Sequence, residues 1–356
     1  MRSILAALAC VDLVFLVGLA GCGTTESGPH ESSQGIEALR SQVLGLVEQT
    51  SGEVGVSIRH LESGLGFDID GDRRFPTASM YKVPIMIEVF RQREEGVLSL
   101  DERISIQPDV LHFSTVLSRF DPGLNPTLRD LVFLMITESE NAATDIVLNR
   151  VGADRVTATM QEFGFPSVSV DRTVKEMMED YLGLSPEQRI LTGPAFAAMM
   201  DSSPERAHYS RMWREADAAI PESVHRFSQE PKDVASPNDL TRILEMIARG
   251  QMVSAEASAE MLDIMLEARF GSDLLAGELP PQTPVARKSG TLPTSLGETG
   301  IIFLPEGRGR LVVTVMTNRL RETRETSGGL VSRISRLAYE FFVSEGDGAS
   351  VAVTER

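Results

Sequence analysis

Apolar positions recur with two different periods along the chain, and the switches between them outline the fold. Ile36 to Glu48 places Leu39, Val43, Leu44 and Val47 on one face of a helix. Val54, Val56 and Ile58 then alternate with small or polar residues, Glu62-Ser63-Gly64 turns, and Leu65, Phe67 and Ile69 alternate again, which predicts an antiparallel hairpin. Helical spacing takes over through Lys82–Gly96, Thr127–Leu134, Asn141–Val151 and Arg155–Phe163, with Gly96, Gly152 and Gly164 at the stops. Ser236-Pro237-Asn238-Asp239 opens another helix, with Ser236 as N-cap and Asp239 placed for a capping box. After Pro284 strand spacing returns in Val285–Gly290, Thr299–Leu304 and Leu311–Thr317, and Gly328–Phe342 closes as an amphipathic helix before a loose tail from Ser344. Strands from the two ends would complete one antiparallel sheet, with the helices inserted as a second lobe and a cleft between them.

Composition narrows the function classes. The chain has 356 residues, 42% hydrophobic and 24% charged, which excludes wholesale disorder and a multi-span membrane protein. A net charge of −17 without any basic run makes nucleic acid a poor partner. Cysteine occurs twice, as Cys10 and Cys22, and both lie in the N-terminal segment, so the body has no thiol nucleophile and no disulfide. Five scattered histidines give no HExxH spacing, and no GxSxG or GxGxxG is present; no metal and no cofactor are expected.

The first residues form an address. Ile4 to Ala20 is apolar and ends in Leu19-Ala20-Gly21-Cys22, similar to a bacterial lipobox cut before a lipidated cysteine. Asp12 within that run costs roughly 2.5–3.5 kcal/mol at a membrane centre and disfavours a permanent span. Residues 1–21 are thus expected as a lipoprotein signal peptide, 22–35 as a polar tether, 36–345 as one catalytic domain and 346–356 as a tail. Within the domain, 36–80 and 240–345 form the α/β lobe and 81–239 the helical lobe.

Three short motifs carry chemistry. Ser79-Met80-Tyr81-Lys82 puts a hydroxyl and an amine three residues apart on one helical face, at a helix start where a developing negative charge is favoured. Ser139-Glu140-Asn141 offers a proton-relaying hydroxyl and an amide, although taken alone the same residues read first as a helix N-cap. Lys288-Ser289-Gly290-Thr291 ends a strand with a cation beside a glycine that lets a ligand approach the backbone.

Taken in order, SMYK, SEN and KSGT resemble the S-x-x-K, S-D-N and K-T-G set of class A β-lactamases and the wider penicillin-recognising serine hydrolases. The resemblance spans about residues 36–345. It implies an α/β (α+β) β-lactamase/transpeptidase-like fold, a five-stranded antiparallel sheet flanked by helices with an inserted all-α lobe. It also implies an acyl-enzyme on Ser79, Lys82 as base or proton shuttle, Ser139 as relay to the leaving nitrogen and Lys288 as partner of the substrate carboxylate. Asn141, Ser289, Gly290 and Thr291 would bind substrate, and the backbone N–H groups of Ser79 and Thr291 would form the oxyanion hole. The expected partner is a small-molecule β-lactam or cell-wall peptide, met by a monomer held at a membrane by lipid on Cys22, facing the periplasm or cell exterior.

Two departures from that family stand out. Glu140 replaces Asp in the second motif. Asp171-Arg172-Thr173-Val174 places Val174 where the family's water-activating Glu is expected, leaving Glu176 as the candidate deacylation base. Tyr181–Ala235 is an extension read as a lid or packing layer. Three activities therefore compete: a β-lactamase, a D-alanyl-D-alanine peptidase with slow release, and a penicillin-binding sensor without turnover.

Overall fold

A computed structural model of the chain describes residues 29–121 and 123–350. The signal segment, Cys22 and the final six residues lie outside them. Helix α1 (Pro29–Val47) leads into strands β1 (Glu53–His60) and β2 (Gly66–Ile69). A short strand β3 (Phe75–Pro76) and a 3₁₀ turn (Ala78–Tyr81) feed α2 (Lys82–Glu94). The helical region follows: α3 (Leu128–Thr137), α4 (Asn141–Val151), α5 (Ala153–Glu162), α6 (Val174–Leu182), α7 (Pro186–Arg189), α8 (Gly193–Ser202), α9 (Pro204–Arg214) and α10 (Glu222–Phe227). The chain then returns through β4 (Val234–Ala235), α11 (Pro237–Ala248), α12 (Ala255–Leu266), β5 (Val285–Leu292), β6 (Ser295–Phe303), β7 (Arg310–Asn318) and α13 (Arg324–Ser350).

The sheet order is β2-β1-β7-β6-β5, antiparallel throughout, so the two ends of the chain meet along the β1–β7 ladder. Period-2 alternation gives each strand two buried faces. Val54, Val56 and Ile58 join Val313 and Val315 under the terminal helices with Leu39, Val43, Val331 and Ile334. Ile301, Val312 and Met316 face the other way, into the core shared with α2, α3, α4 and α11. On that inner face Thr314 bonds Thr241 and Thr299 at 2.9 and 2.7 Å, so the buried hydroxyls satisfy one another.

Several boundaries differ from the sequence reading for identifiable reasons. α1 already begins at Pro29, inside the stretch read as tether, and proline suits a first helical turn. α13 continues through Ser350, past the expected start of the tail, with no proline to stop it. β6 starts at Ser295 rather than Thr299, because Gly297 interrupts the apolar pattern while a Cβ there would lie 2.5 Å from the Val315 carbonyl. Ser236 caps α11 by accepting the Asp239 N–H, but no capping box closes there. The Asp239 carboxylate instead accepts the Ser167 N–H and hydroxyl at 3.0 and 2.6 Å, tying α11 to the segment after α5.

Candidate active site

The turn carrying the first motif is held under local strain. Ala78 has φ +43, a left-handed conformation uncommon for a residue with a Cβ. Its neighbour Thr77 is pinned to the Asp233 carbonyl by both N–H (2.9 Å) and hydroxyl (2.6 Å). Strand β5 presses against this turn: a Cβ on Gly290 would come within 2.2 Å of the Thr77 carbonyl oxygen. Ser79 therefore sits on an over-determined turn just ahead of α2, where Lys82 begins the helix proper and Pro84 is accommodated in its first turn.

The second motif shares the strain. Ser139 has φ +52 between α3 and α4. Glu140 is fully buried as the N-cap of α4, and its carboxylate also accepts from Thr115 N–H, Thr115 hydroxyl and Val116 N–H at 3.0, 3.1 and 2.7 Å. The arm longer than Asp thus reaches across to the 113–118 loop and fixes it against the motif. Asn141, expected as a substrate ligand, lines the cavity and donates to the Phe113 carbonyl at 3.2 Å.

Two amines converge on one hydroxyl. Lys82 Nζ donates to the Ser139 carbonyl (2.8 Å), Ser139 Oγ (3.2 Å) and Asn141 Oδ1 (2.9 Å). Lys288 Nζ donates to the same Ser139 Oγ at 3.0 Å and to the Ser289 carbonyl at 2.9 Å. With two donors on its oxygen, the Ser139 hydroxyl retains its own proton as the group left to give. Both lysines are at most 1% exposed. Burial, with the neighbouring Lys288 charge, holds the Lys82 amine well below its ordinary range. Burial brings Lys288 to about 7, with the charge of Glu298 opposing.

The remaining expected residues separate. Thr291 lines a cavity of about 610 Å³ together with Ser79 and Asn141, and Gly290 provides the close approach of β5 to the turn. Ser289 points to the other side of the strand, where a Cβ on Gly271 would meet its Oγ at 2.9 Å, so only its carbonyl joins the lysine cluster. Ser289, expected to bind substrate, does not line this cavity, and its buried Oγ has no hydrogen-bond partner among the described residues. Val174 lines the cavity, whereas Glu176 is the third residue of α6 and its carboxylate accepts the Thr173 N–H and hydroxyl, each at 2.8 Å, in a capping box.

Sequence reasoning missed Asp145. It lies four residues after Asn141, one turn along the same face of α4. Its carboxylate accepts the Val174 and Lys175 N–H groups at 2.6 and 3.1 Å, anchoring the start of α6, and burial raises it to about 7. The i,i+4 spacing from the second motif was the available signal.

A serine beside a strained residue, followed one turn later by a buried amine of lowered proton affinity, with a second amine sharing a relay hydroxyl, defines a serine acyl-transfer site. The description "Beta-lactamase enzyme family" matches residues 38–342, and the chain belongs to that family. It is 21% identical to beta-lactamase VEB-1 of Pseudomonas aeruginosa over 319 residues, covering 86% of this chain and 91% of that one. Extended-spectrum beta-lactamase PER-1 of the same organism is also 21% identical, with 96% of both chains covered. Among solved structures, a beta-lactamase from Chitinophaga pinensis superposes at TM-score 0.68 with 24% identity, covering 85% of this chain and 98% of that one.

Proposed function

We propose that the protein is a serine β-lactamase that opens β-lactam rings through an acyl-enzyme on Ser79. The observation that carries this reading is the shared Ser139 hydroxyl, held by Lys82 and Lys288 at 3.2 and 3.0 Å. Ser79 Oγ attacks the ring carbonyl and passes its proton to the neutral Lys82 amine. The C–N bond breaks, Ser139 protonates the departing nitrogen, and Lys82 restores the Ser139 proton. Water then cleaves the ester and frees Ser79. Lys288 pairs with the substrate carboxylate, and the Ser79 and Thr291 N–H groups face the developing oxyanion, a contribution of about 2.7–4 kcal/mol per donor in other enzymes.

One observation favours a second reading, a D-alanyl-D-alanine peptidase or sensor with slow release. Among the described residues lining the cavity, Asp201 is the single carboxylate, and it pairs with Arg206 at the rim at 2.5 Å. Labelling with a fluorescent penicillin separates the readings. The hydrolase gives a label on the wild type that clears with turnover, and Ser79→Ala gives none and lowers turnover at least ~10³-fold. A persistent label supports slow release, and no label on the wild type overturns both.

The sequence around Cys22 supports export and lipid attachment. Cys22→Ser is expected to move the protein from the membrane to the soluble fraction; unchanged fractionation rejects the anchor.

A further inference from the structure

A second cavity, of about 320 Å³, lies across α9 from the catalytic one and falls within the ~300–1,000 Å³ typical of small-molecule sites. The helical period divides α9 between the two: Arg206, Tyr209 and Ser210 line the first, and Glu205, His208, Arg211 and Met212 line the second. Leu182 is the one described residue common to both. The remaining walls of the second cavity are mostly apolar, with Met212 and Val224 buried and Pro204 and Pro221 beside them.

Two charges in this cavity lack an opposite charge. The Glu205 Oε2 is buried and has no hydrogen-bond partner among the described residues. Withdrawing a carboxylate oxygen from water without a donor is unfavourable, so the site gains by admitting one. Arg211 is exposed and forms no ion pair among the described residues. Its guanidinium donates to His208 Nδ1 at 3.0 Å, and His208 Nε2 donates to the Ala219 carbonyl at 2.7 Å. A guanidinium only donates and a carbonyl only accepts, so these partners fix the ring tautomer, and the ring in turn holds Arg211. Glu205 and Arg211 are separated by about 9 Å of rise along α9, with His208 midway.

The ammonium and carboxylate of an α-amino acid stand about 3 Å apart, and a charge-assisted hydrogen bond of about 2.8 Å at each end gives a span that two side chains at that separation can bracket. Its side chain would meet Met212 and Val224. A simple amine would leave Arg211 unpaired, and a simple acid would leave Glu205 so. We propose that this cavity is a second binding site, for a small zwitterion with an apolar side chain, in which Glu205 accepts from the ammonium and Arg211 donates to the carboxylate. The site uses neither Ser79 nor the two lysines, so it stands apart from the hydrolase reading.

Equilibrium dialysis of the full chain against radiolabelled racemic leucine tests it. One site per chain, half-filled below about 1 mM, is expected. 3-Methylbutylamine, which is leucine without its carboxylate, and 4-methylpentanoate, which is leucine without its ammonium, should each compete at least ~10-fold less well. Glu205→Gln and Arg211→Gln should each weaken leucine binding at least ~10-fold while unfolding at the wild-type temperature, since neither side chain belongs to the core. Excess benzylpenicillin should leave leucine bound. No saturable binding up to about 10 mM, an amine or acid that competes as well as leucine, or unchanged affinity in both variants overturns the site. Displacement by benzylpenicillin would place leucine in the catalytic cavity and overturn it equally, leaving the hydrolase reading intact.

Discussion

The two walls of the cavity are made by different means. The motif wall exposes Ser79, Asn141 and Thr291 to the cavity, and behind it Lys82, Ser139, Asn141 and Lys288 satisfy one another at 2.8–3.2 Å. The facing wall, from residues 172 to 235, presents mainly apolar side chains to the cavity, and the two charges that line it, Asp201 and Arg206, pair with each other. Its hub is Arg172, which donates to Asp233 (2.7 Å), Asp180 (2.7 Å) and Glu230 (3.0 Å), with Phe227 under its guanidinium at 5.0 Å. Low dielectric in the first wall tunes proton affinities, whereas ion pairing in the second fixes a shape. The walls meet at Asp233, whose side chain holds Arg172 and whose carbonyl holds Thr77, two residues before the nucleophile.

Breaking the hub is the most damaging test of that division. Arg172→Ala strands the buried Asp233 carboxylate, which is 1% exposed and already raised by burial. Removing one partner of a buried pair costs about 3–5 kcal/mol, to be read as a loss in chemical or thermal unfolding. Below the unfolding transition, acylation by the fluorescent penicillin should fall less than ~2-fold, because the lysine cluster keeps its own hydrogen bonds. A larger fall would mean that Asp233 transmits the loss to Thr77 and that the walls act as one.

Titration sharpens the comparison from the other side. For Lys288 the charged amine is the form that pairs with a carboxylate, and burial brings it to about 7. Above that value the cation is lost, so kcat/KM for a carboxylate-bearing substrate should decline, approaching tenfold per pH unit. Lys82 acts in the opposite sense, since its lowered affinity makes it a base at pH values where an ordinary lysine stays charged. Lys288→Arg retains the charge and is expected to move the alkaline limb upward even if the plateau is lower. A limb that stays at the same pH would assign it to another group.

The same division explains what could be read from the chain. The three motifs were legible because their chemistry depends on residues one to three apart, and the sheet was legible because alternation at both ends left strands needing partners. The lysine cluster also required that the 205 residues between Lys82 and Lys288 bring the two amines to one hydroxyl, which the helix-and-strand order anticipated. The facing wall was obscure because its lining comes from α6, α8 and α9 at irregular spacing, and its hub joins Arg172 to a residue 61 positions away. Ser289 illustrates the limit within a motif: its residue type suited a ligand, but period 2 turned its hydroxyl away from the side taken by Lys288.

The smallest expected effect falls on Glu176, and it decides whether the second wall takes part in proton transfer. The carboxylate is exposed, lies on α6 beyond Val174 and spends its Oε2 on the Thr173 N–H and hydroxyl. A glutamine oxygen accepts the same two hydrogens, so Glu176→Gln should keep the cap, cost less than about 1 kcal/mol in stability and change the rate of label release less than ~2-fold. Release is measured as decay of the fluorescent acyl-enzyme after excess penicillin is removed, separately from its formation, so that a change in acylation does not mask it. A drop of 100-fold or more in release with unchanged acylation would show that this carboxylate leaves its cap to activate water. The apolar wall would then be a chemical participant, and its separation from the lysine cluster would fail at that residue.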